Sequence, residues 1–318
     1  MDQFQAILNA VLPVFLVIGG GFALRRLDWL APQADQSLLR LTINLLIPCL
    51  IFDSLLGNRA FRSADNVLVP PLVGFGSVAI GVAAAWVVGA WLPKRHPKTR
   101  STFAFCTAMY NYGYVPIPLI MALFDRETLG VLFVHNLGVE IAFWTFGMFL
   151  LAGAGVRQSL RRLLNAPLAT IVGTLCLNAV LAREQVPQFF LNAAHMLGQC
   201  AIPIGMLLIG ATMADHIRSI GNRGGIGILG AAAALRLLAL PAVFLAVAVL
   251  APLSPQLRRV IAIQAAMPAA VFPIVLVRHY RGDTETALRI VLGTSALSLI
   301  TIPLWIRIGL KLIGATPF

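Results

Sequence analysis

Ten apolar runs alternate with short polar loops along the chain. They fall near residues 5–24, 36–56, 68–91, 101–124, 129–152, 165–182, 192–213, 226–250, 257–279 and 286–313. A bilayer crossing needs about 20 mostly apolar residues, and each run is of that order, the run 257–279 being the least apolar at its ends. Inside lipid a segment must satisfy its own backbone hydrogen bonds. The pattern therefore predicts ten transmembrane helices and an all-α polytopic membrane protein.

The breakers inside the runs form a second pattern. The second run reads Asn44-Leu-Leu-Ile-Pro48 and the seventh Gln199-Cys-Ala-Ile-Pro203, two amide-x-x-x-Pro motifs 155 residues apart. The fourth run carries Asn111-Tyr-Gly-Tyr-Val-Pro116, followed by Pro118, and the ninth carries Pro268-Ala-Ala-Val-Phe-Pro273, 157 residues on. Both offsets are close to half of the 318-residue length. Five crossings per half is an odd number, so the second half enters the membrane inverted. The expected organisation is one transporter domain, 1–318, made of a first five-helix repeat (1–155) and a second (156–318).

Proline lacks the N–H that a helix needs and clashes with the preceding turn, and it pushes the residue before it toward extended geometry. Runs 4 and 9 are therefore expected to be pairs of half-helices, with unpaired N–H groups and partial positive charge near the bilayer midplane. Crossing two such breaks makes an anion site, and paired interrupted spans at matching places point to a carrier's binding site. The substrate-facing candidates are Asn111, Tyr112, Pro116, Pro118, Pro268 and Gln264, with Asn44 and Gln199 either coordinating beside the crossover or offering their amides to carbonyls that the prolines free.

Composition agrees with a membrane protein. The chain is 59% hydrophobic and 11% charged, with mean hydropathy +0.87, whereas a soluble domain carries about 25% charged residues. The four cysteines lie in apolar runs without a CxxC pair, so no disulfide scaffold or metal site is expected, and no cofactor. The net charge of +12 is gathered in small clusters between the runs, which suits loops facing anionic lipid rather than nucleic acid. Fifteen Lys and Arg residues follow runs 1, 3, 5, 7 and 9, against eight on the other side. That bias puts the odd loops in the cytoplasm and both termini outside it. Arginine outnumbers lysine, 21 to 3, as in GC-rich bacterial genomes, so the expected location is a cell inner membrane.

Two charges lie inside the runs. Glu140 is central in the fifth and Arg236 near the centre of the eighth. A charge there costs at least about 2.5–3.5 kcal/mol, so neither can face lipid. One reading is a mutual ion pair that locks the two helices. The other makes Arg236 the counter-charge of a substrate carboxylate and Glu140, with His135, the proton-coupling site. Asn136 stands at i, i+4 from Glu140 and shares its face. Asp53, at the end of the second run, reads as solvated. An enzyme would need a nucleophile with a base, or metal ligands; Gly293-Thr294-Ser295 has no evident His partner, and no Walker motif is present.

The segments NLLIPCLIF (44–52), NYGYVPIPLIMALF (111–124), AAMPAAV (265–271) and TSALSLITIPL (294–304) resemble the auxin efflux carrier family, whose bacterial members include malonate and malate permeases. The resemblance implies a fold similar to the bile acid:sodium symporters, with ten spans in two inverted repeats and spans 4 and 9 crossing at prolines. It implies elevator-like transport of a small organic anion and places the crossover on Asn111, Pro118 and Pro268. This chain departs from the family at Pro116, often Gly, and at Phe272, often Asn. The partners expected are the organic anion, a proton or alternatively sodium, and the lipid bilayer; a homodimer is compatible with the sequence.

Overall fold

The computed structural model describes residues 3–92, 96–153, 165–217 and 225–316. Among them all regular structure is helical. α1 is Gln3–Arg26; α2 (Pro32–Leu41) continues through a π turn at Thr42–Leu46 into α3 (Ile47–Leu55); α4 is Asp65–Gly89. α5 (Pro97–Ala108) and α6 (Pro116–Leu123) are separated by a break, and α7 (Arg126–Gly147) ends in a π turn, Met148–Ala152. α8 is Ala166–Val180 and α9 is Gln188–His216. α10 (Ile226–Ala234) runs through a π turn, Leu235–Ala239, into α11 (Leu240–Leu250). α12 (Pro255–Ala265) and α13 (Phe272–His279) flank a second break, and α14 is Thr284–Ile313.

Seven of these stretches are long and apolar enough to cross a bilayer alone: Phe4–Arg26, Pro32–Leu55, Asp65–Gly89, Arg126–Ala152, Gln188–His216, Ile226–Leu250 and Thr284–Ile313. α8 is apolar but shorter, and the two broken pairs are too short piece by piece. The basic loop residues Lys94, Arg95, Arg157, Arg161, Arg162, Arg218 and Arg223, and the boundary between the expected repeats, lie outside the described residues.

Prolines act differently from place to place. Runs 4 and 9 break. Pro203 sits inside an unbroken α9, and at Pro48 and Pro241 a π turn precedes the proline and keeps the rod continuous. A proline strands the carbonyl four residues earlier. For Pro241 that is Leu237, whose oxygen accepts from Trp305 Nε1 at 2.6 Å. The expected extended geometry before proline fails at Val115, which stays helical (φ −93°, ψ −47°) as the residue preceding α6.

The helices pack as two groups, which touch each other where α1 meets α14 and α6 and where α3 meets α7. In one, α1 lies along α9: a side chain on Gly21 would overlap the Leu207 backbone, and one on Gly210 the Ile18 backbone. α3 joins this group through Gly198, where a Cβ would come 2.8 Å from Leu50 N. α8 joins it through Asn178, which accepts from Gly57 N (2.8 Å) and donates to Leu55 O (2.9 Å). In the other group α4 lies on α7 and α5, and α14 on α10 and α12. Asp53 is not solvated as expected: Arg183 Nη2 and His195 Nδ1 each lie 2.9 Å from its carboxylate oxygens.

Matching positions recur at one spacing. Pro97 opens α5 and Pro255 opens α12; Asp125 precedes α7 and Asp283 precedes α14; each pair is 158 residues apart. Asp125 Oδ1 accepts from the amide and hydroxyl of Thr128 at 2.7 Å, and its Oδ2 binds Arg259 Nη1 of α12 at 2.7 Å. Asp283 likewise accepts from Thr286 N (3.0 Å) and Thr286 Oγ1 (2.9 Å), and Thr99 of α5 donates to it at 2.7 Å.

Burial alone would raise the Asp125 pKa, but the Thr128 donors and the Arg259 guanidinium outweigh that and hold it below the usual carboxylate range. The folded pKa is thus depressed. The stabilisation is complete above the unfolded value of about 3.9 and is lost as pH falls through the folded one. Asp125→Ala is expected to cost about 1–2 kcal/mol as a lost helix cap, read as a lower melting temperature at pH 7. The gap to wild type should shrink below about pH 4.

Candidate functional site: the crossing of two broken helices

The two breaks are joined to each other. Asn111 N donates to Pro268 O and Ala270 N donates to Met109 O, both at 2.8 Å, and Tyr110 faces Ala269 in a short antiparallel bridge. A membrane interior offers no water to a broken helix, so each break satisfies its backbone with the other. Prolines then restart the helices. Pro116 is the first residue of α6 and Pro273 the second of α13, positions where a missing N–H and a fixed φ suit a helix start. Pro268 lies in the break and Pro118 in the first turn of α6. Asn111 Oδ1 accepts from Val115 N, the residue that precedes α6, in a long contact of 3.4 Å. Ala269 N donates to Thr294 Oγ1 of α14 at 3.2 Å.

One loop residue, Tyr112, is held at both ends by α7. Asn136 Nδ2 donates to its carbonyl at 2.7 Å, and its hydroxyl donates to Glu140 Oε2 at 2.6 Å. The i, i+4 spacing of Asn136 and Glu140 makes this grip possible. Gln264 Nε2, from α12, adds bonds to Tyr112 O (3.2 Å) and Asn136 Oδ1 (3.0 Å), while its own Oε1 is buried without a partner. Glu140 Oε1 accepts from Trp144 Nε1 at 3.1 Å and from Asn165 Nδ2 at 3.0 Å. Asn165 is the N-cap of α8 and also accepts from Leu168 N.

The ion pair that one reading gives to Glu140 and Arg236 does not form. Arg236 is fully buried; its Nε donates to Met267 O at 3.0 Å, just before Pro268, and its guanidinium lies 4.8 Å from the Tyr110 ring and 5.6 Å from the Phe244 ring. Both Nη atoms are buried without a hydrogen-bond partner. The two charges serve opposite sides of the crossover: Glu140 binds the loop of the first break and Arg236 supports the chain of the second.

His135 is buried, with Nδ1 3.5 Å from Asn136 Oδ1, a long contact. It helps line a cavity of about 150 Å³ together with Ser77, Tyr110, Phe244 and Gln264; Ser77 Oγ and Tyr110 OH are 2.8 Å apart. Asn44 and Gln199 are not drawn into the crossover. Asn44 is exposed and donates to Arg40 O of its own rod at 2.8 Å, one turn back from the carbonyl that Pro48 frees. Gln199 is exposed and its Nε2 lies 2.7 Å from His195 Nε2. The π turn at Thr42–Leu46 and the continuity of α9 leave neither amide a break to repair.

The sequence pattern did not point to Trp144, Asn165 or Gly205, and gave Thr294 no part in the crossover. Asn165 had a usable signal, an Asn just before Ala-Pro at a helix start. Gly205 of α9 is where the helix meets the crossover loop: a Cβ there would overlap the Tyr114 ring, with Tyr114 Cζ 2.9 Å away.

The family model described as membrane transport protein matches residues 6–161 and 156–306. An uncharacterized transporter of Methanothermobacter thermautotrophicus is 24% identical over 307 residues, 95% of this chain and 98% of that protein. Protein ECM3 of Saccharomyces cerevisiae is 27% identical over 157 residues, 47% of this chain and 25% of that protein.

Proposed function

The chain belongs to the membrane transport protein family, the auxin efflux carrier-like transporters, and on that premise we propose that it is a secondary carrier of a small organic anion. The observation that carries this reading is the hydrogen-bonded crossing of two broken helices at residues 109–111 and 268–270, with a buried arginine behind it whose two Nη atoms have no partner. Half-helix N-termini and an uncompensated cation together favour an anion. The anion is a carboxylate such as malonate, malate or an auxin-like acid, held at Asn111, Tyr112 and the starts of α6 and α13. Pro116, Pro118 and Pro268 shape the break, Gln264 fixes its loop, and Arg236 supplies the counter-charge.

The wider architecture follows from the same reading. Ten crossings form two inverted five-helix repeats; the recurring 158-residue spacing of Pro97/Pro255 and Asp125/Asp283 supports this. Transport is an elevator-type displacement of the group holding the crossover against the group of α1, α3, α8 and α9, and the packing of the helices into two groups that meet along α1 and α3 supports it. A proton is the coupling ion, through Glu140 and His135. The membrane is a cell inner membrane with both termini outside the cytoplasm, which the distribution of Lys and Arg supports.

The test is flux in proteoliposomes. Radiolabelled carboxylate uptake is expected to saturate, to show counterflow, and to follow an imposed pH gradient when choline replaces sodium. Uptake that follows sodium and ignores pH would remove the proton. Linear, non-saturating flux without counterflow would make the protein a channel instead.

A further inference from the structure

Glu140 lies where the two helix groups meet, and three neutral donors converge on its carboxylate. Tyr112 OH comes from the first break, Trp144 Nε1 from α7 and Asn165 Nδ2 from the cap of α8, at 2.6, 3.1 and 3.0 Å. Tyr112 and Trp144 belong to the group that holds the crossover, Asn165 to the other. Among the described residues no cation forms an ion pair with Glu140.

Each donor is also held by something other than Glu140. Asn136 Nδ2 and Gln264 Nε2 fix the Tyr112 carbonyl. The Trp144 ring stands edge-on to Phe143, centroids 5.3 Å apart. Asn165 Oδ1 is fixed by Leu168 N at 2.9 Å. The donor set would therefore persist if Glu140 left it. Preorganised N–H and O–H groups aimed at one carboxylate are what a protein uses to bind a free one.

We propose that Tyr112, Trp144 and Asn165 form the carboxylate subsite of the carrier, occupied in this structure by Glu140 as an internal competitor, and that the substrate carboxylate displaces Glu140 on binding. This rests on the reading as an organic-anion carrier and adds to it a second set of anion-holding groups on the Glu140 side of the crossover, sharing Tyr112 with the first, and the side chain that must yield. Two carboxylates cannot share three donors without strong repulsion, so the exchange is one for one. The donors span both groups, so whichever carboxylate sits there also ties the groups together.

The test uses the purified full-length protein. Glu140→Ala vacates the donors, and sodium acetate or formate, against sodium chloride at equal ionic strength, is expected to raise its melting temperature by about 2 °C or more. The same salts should leave wild type unmoved, and adding Asn165→Ala to the first change should abolish the shift. No carboxylate-specific shift in Glu140→Ala overturns the proposal, even where wild type transports carboxylates and the carrier reading stands. A shift in Glu140→Ala with no anion flux through wild type leaves the subsite standing and removes the carrier reading. If Glu140→Ala does not fold, Glu140→Gln decides. An amide competes more weakly than a carboxylate, so its half-saturation for substrate should fall about 3–10-fold, as a loss of 0.7–1.4 kcal/mol of competition would give at about 1.4 kcal/mol per decade. An unchanged or higher value overturns the proposal.

Discussion

Gly138→Ala is expected to leave almost no folded protein. Gly138 sits where α7 crosses α4, and a Cβ there would overlap the carbonyl of Pro71 and lie 2.8 Å from Phe75 N. The three nearest atoms are all backbone, so no side chain can rotate away from the overlap. The reciprocal position, Gly74, faces His135 O in the same way, which ties the α4 contact to the stretch of α7 that carries His135, Asn136 and Glu140. Small residues let membrane helices approach this closely, and overpacking of such a contact costs about 3 kcal/mol or more when neither side can move. The measurement is the monodisperse fraction and melting temperature after detergent extraction, with Gly173→Ala as control, since a Cβ at Gly173 meets nothing within 4 Å. Equal behaviour of the two variants would mean that α4 and α7 are not in this close contact.

Arg236→Met is expected to do the opposite: it should keep or raise stability while transport falls by at least about tenfold. Arg236 is fully exposed to the cost of burial, with 0% of its surface accessible and two Nη atoms unpartnered. Its gains are one bond to Met267 O and two aromatic faces. Replacing a poorly compensated buried charge by an apolar side chain of similar length is often neutral or stabilising. On the proposed reading as an organic-anion carrier, the loss falls on substrate binding, because the crossover loses its nearby positive charge. Arg236→Lys, which keeps that charge, should recover part of the flux. Normal transport by Arg236→Met would show that the anion does not depend on this charge.

The breaks were legible in the sequence because prolines come in pairs there, Pro116 with Pro118 and Pro268 with Pro273, where a lone Pro203 leaves its helix whole; their mutual approach was expected from the matched places of runs 4 and 9. The grip on Tyr112 was half legible, since the i, i+4 spacing puts Asn136 and Glu140 on one face but does not say what that face meets. The partnering of Glu140 and Arg236 was not legible. Opposite charges in two apolar runs invite pairing, and only the packing shows them on different sides of the crossover. Asn44 and Gln199 lie away from the crossover for a related reason. A proline in a membrane helix has two outcomes, a break or a relaxed turn, and at Pro48 a π turn absorbs the strain without help from the amide.

The contact between Tyr114 and Gly205 bears on how the two helix groups can travel. An aromatic ring seated in a notch of the opposing helix works as a bolt: sliding along α9 in either direction drives the ring into the flanking side chains. Under the proposed displacement of one group against the other, the Tyr114 ring must first turn out of this notch, so the rate of that rotation would cap the rate of the movement.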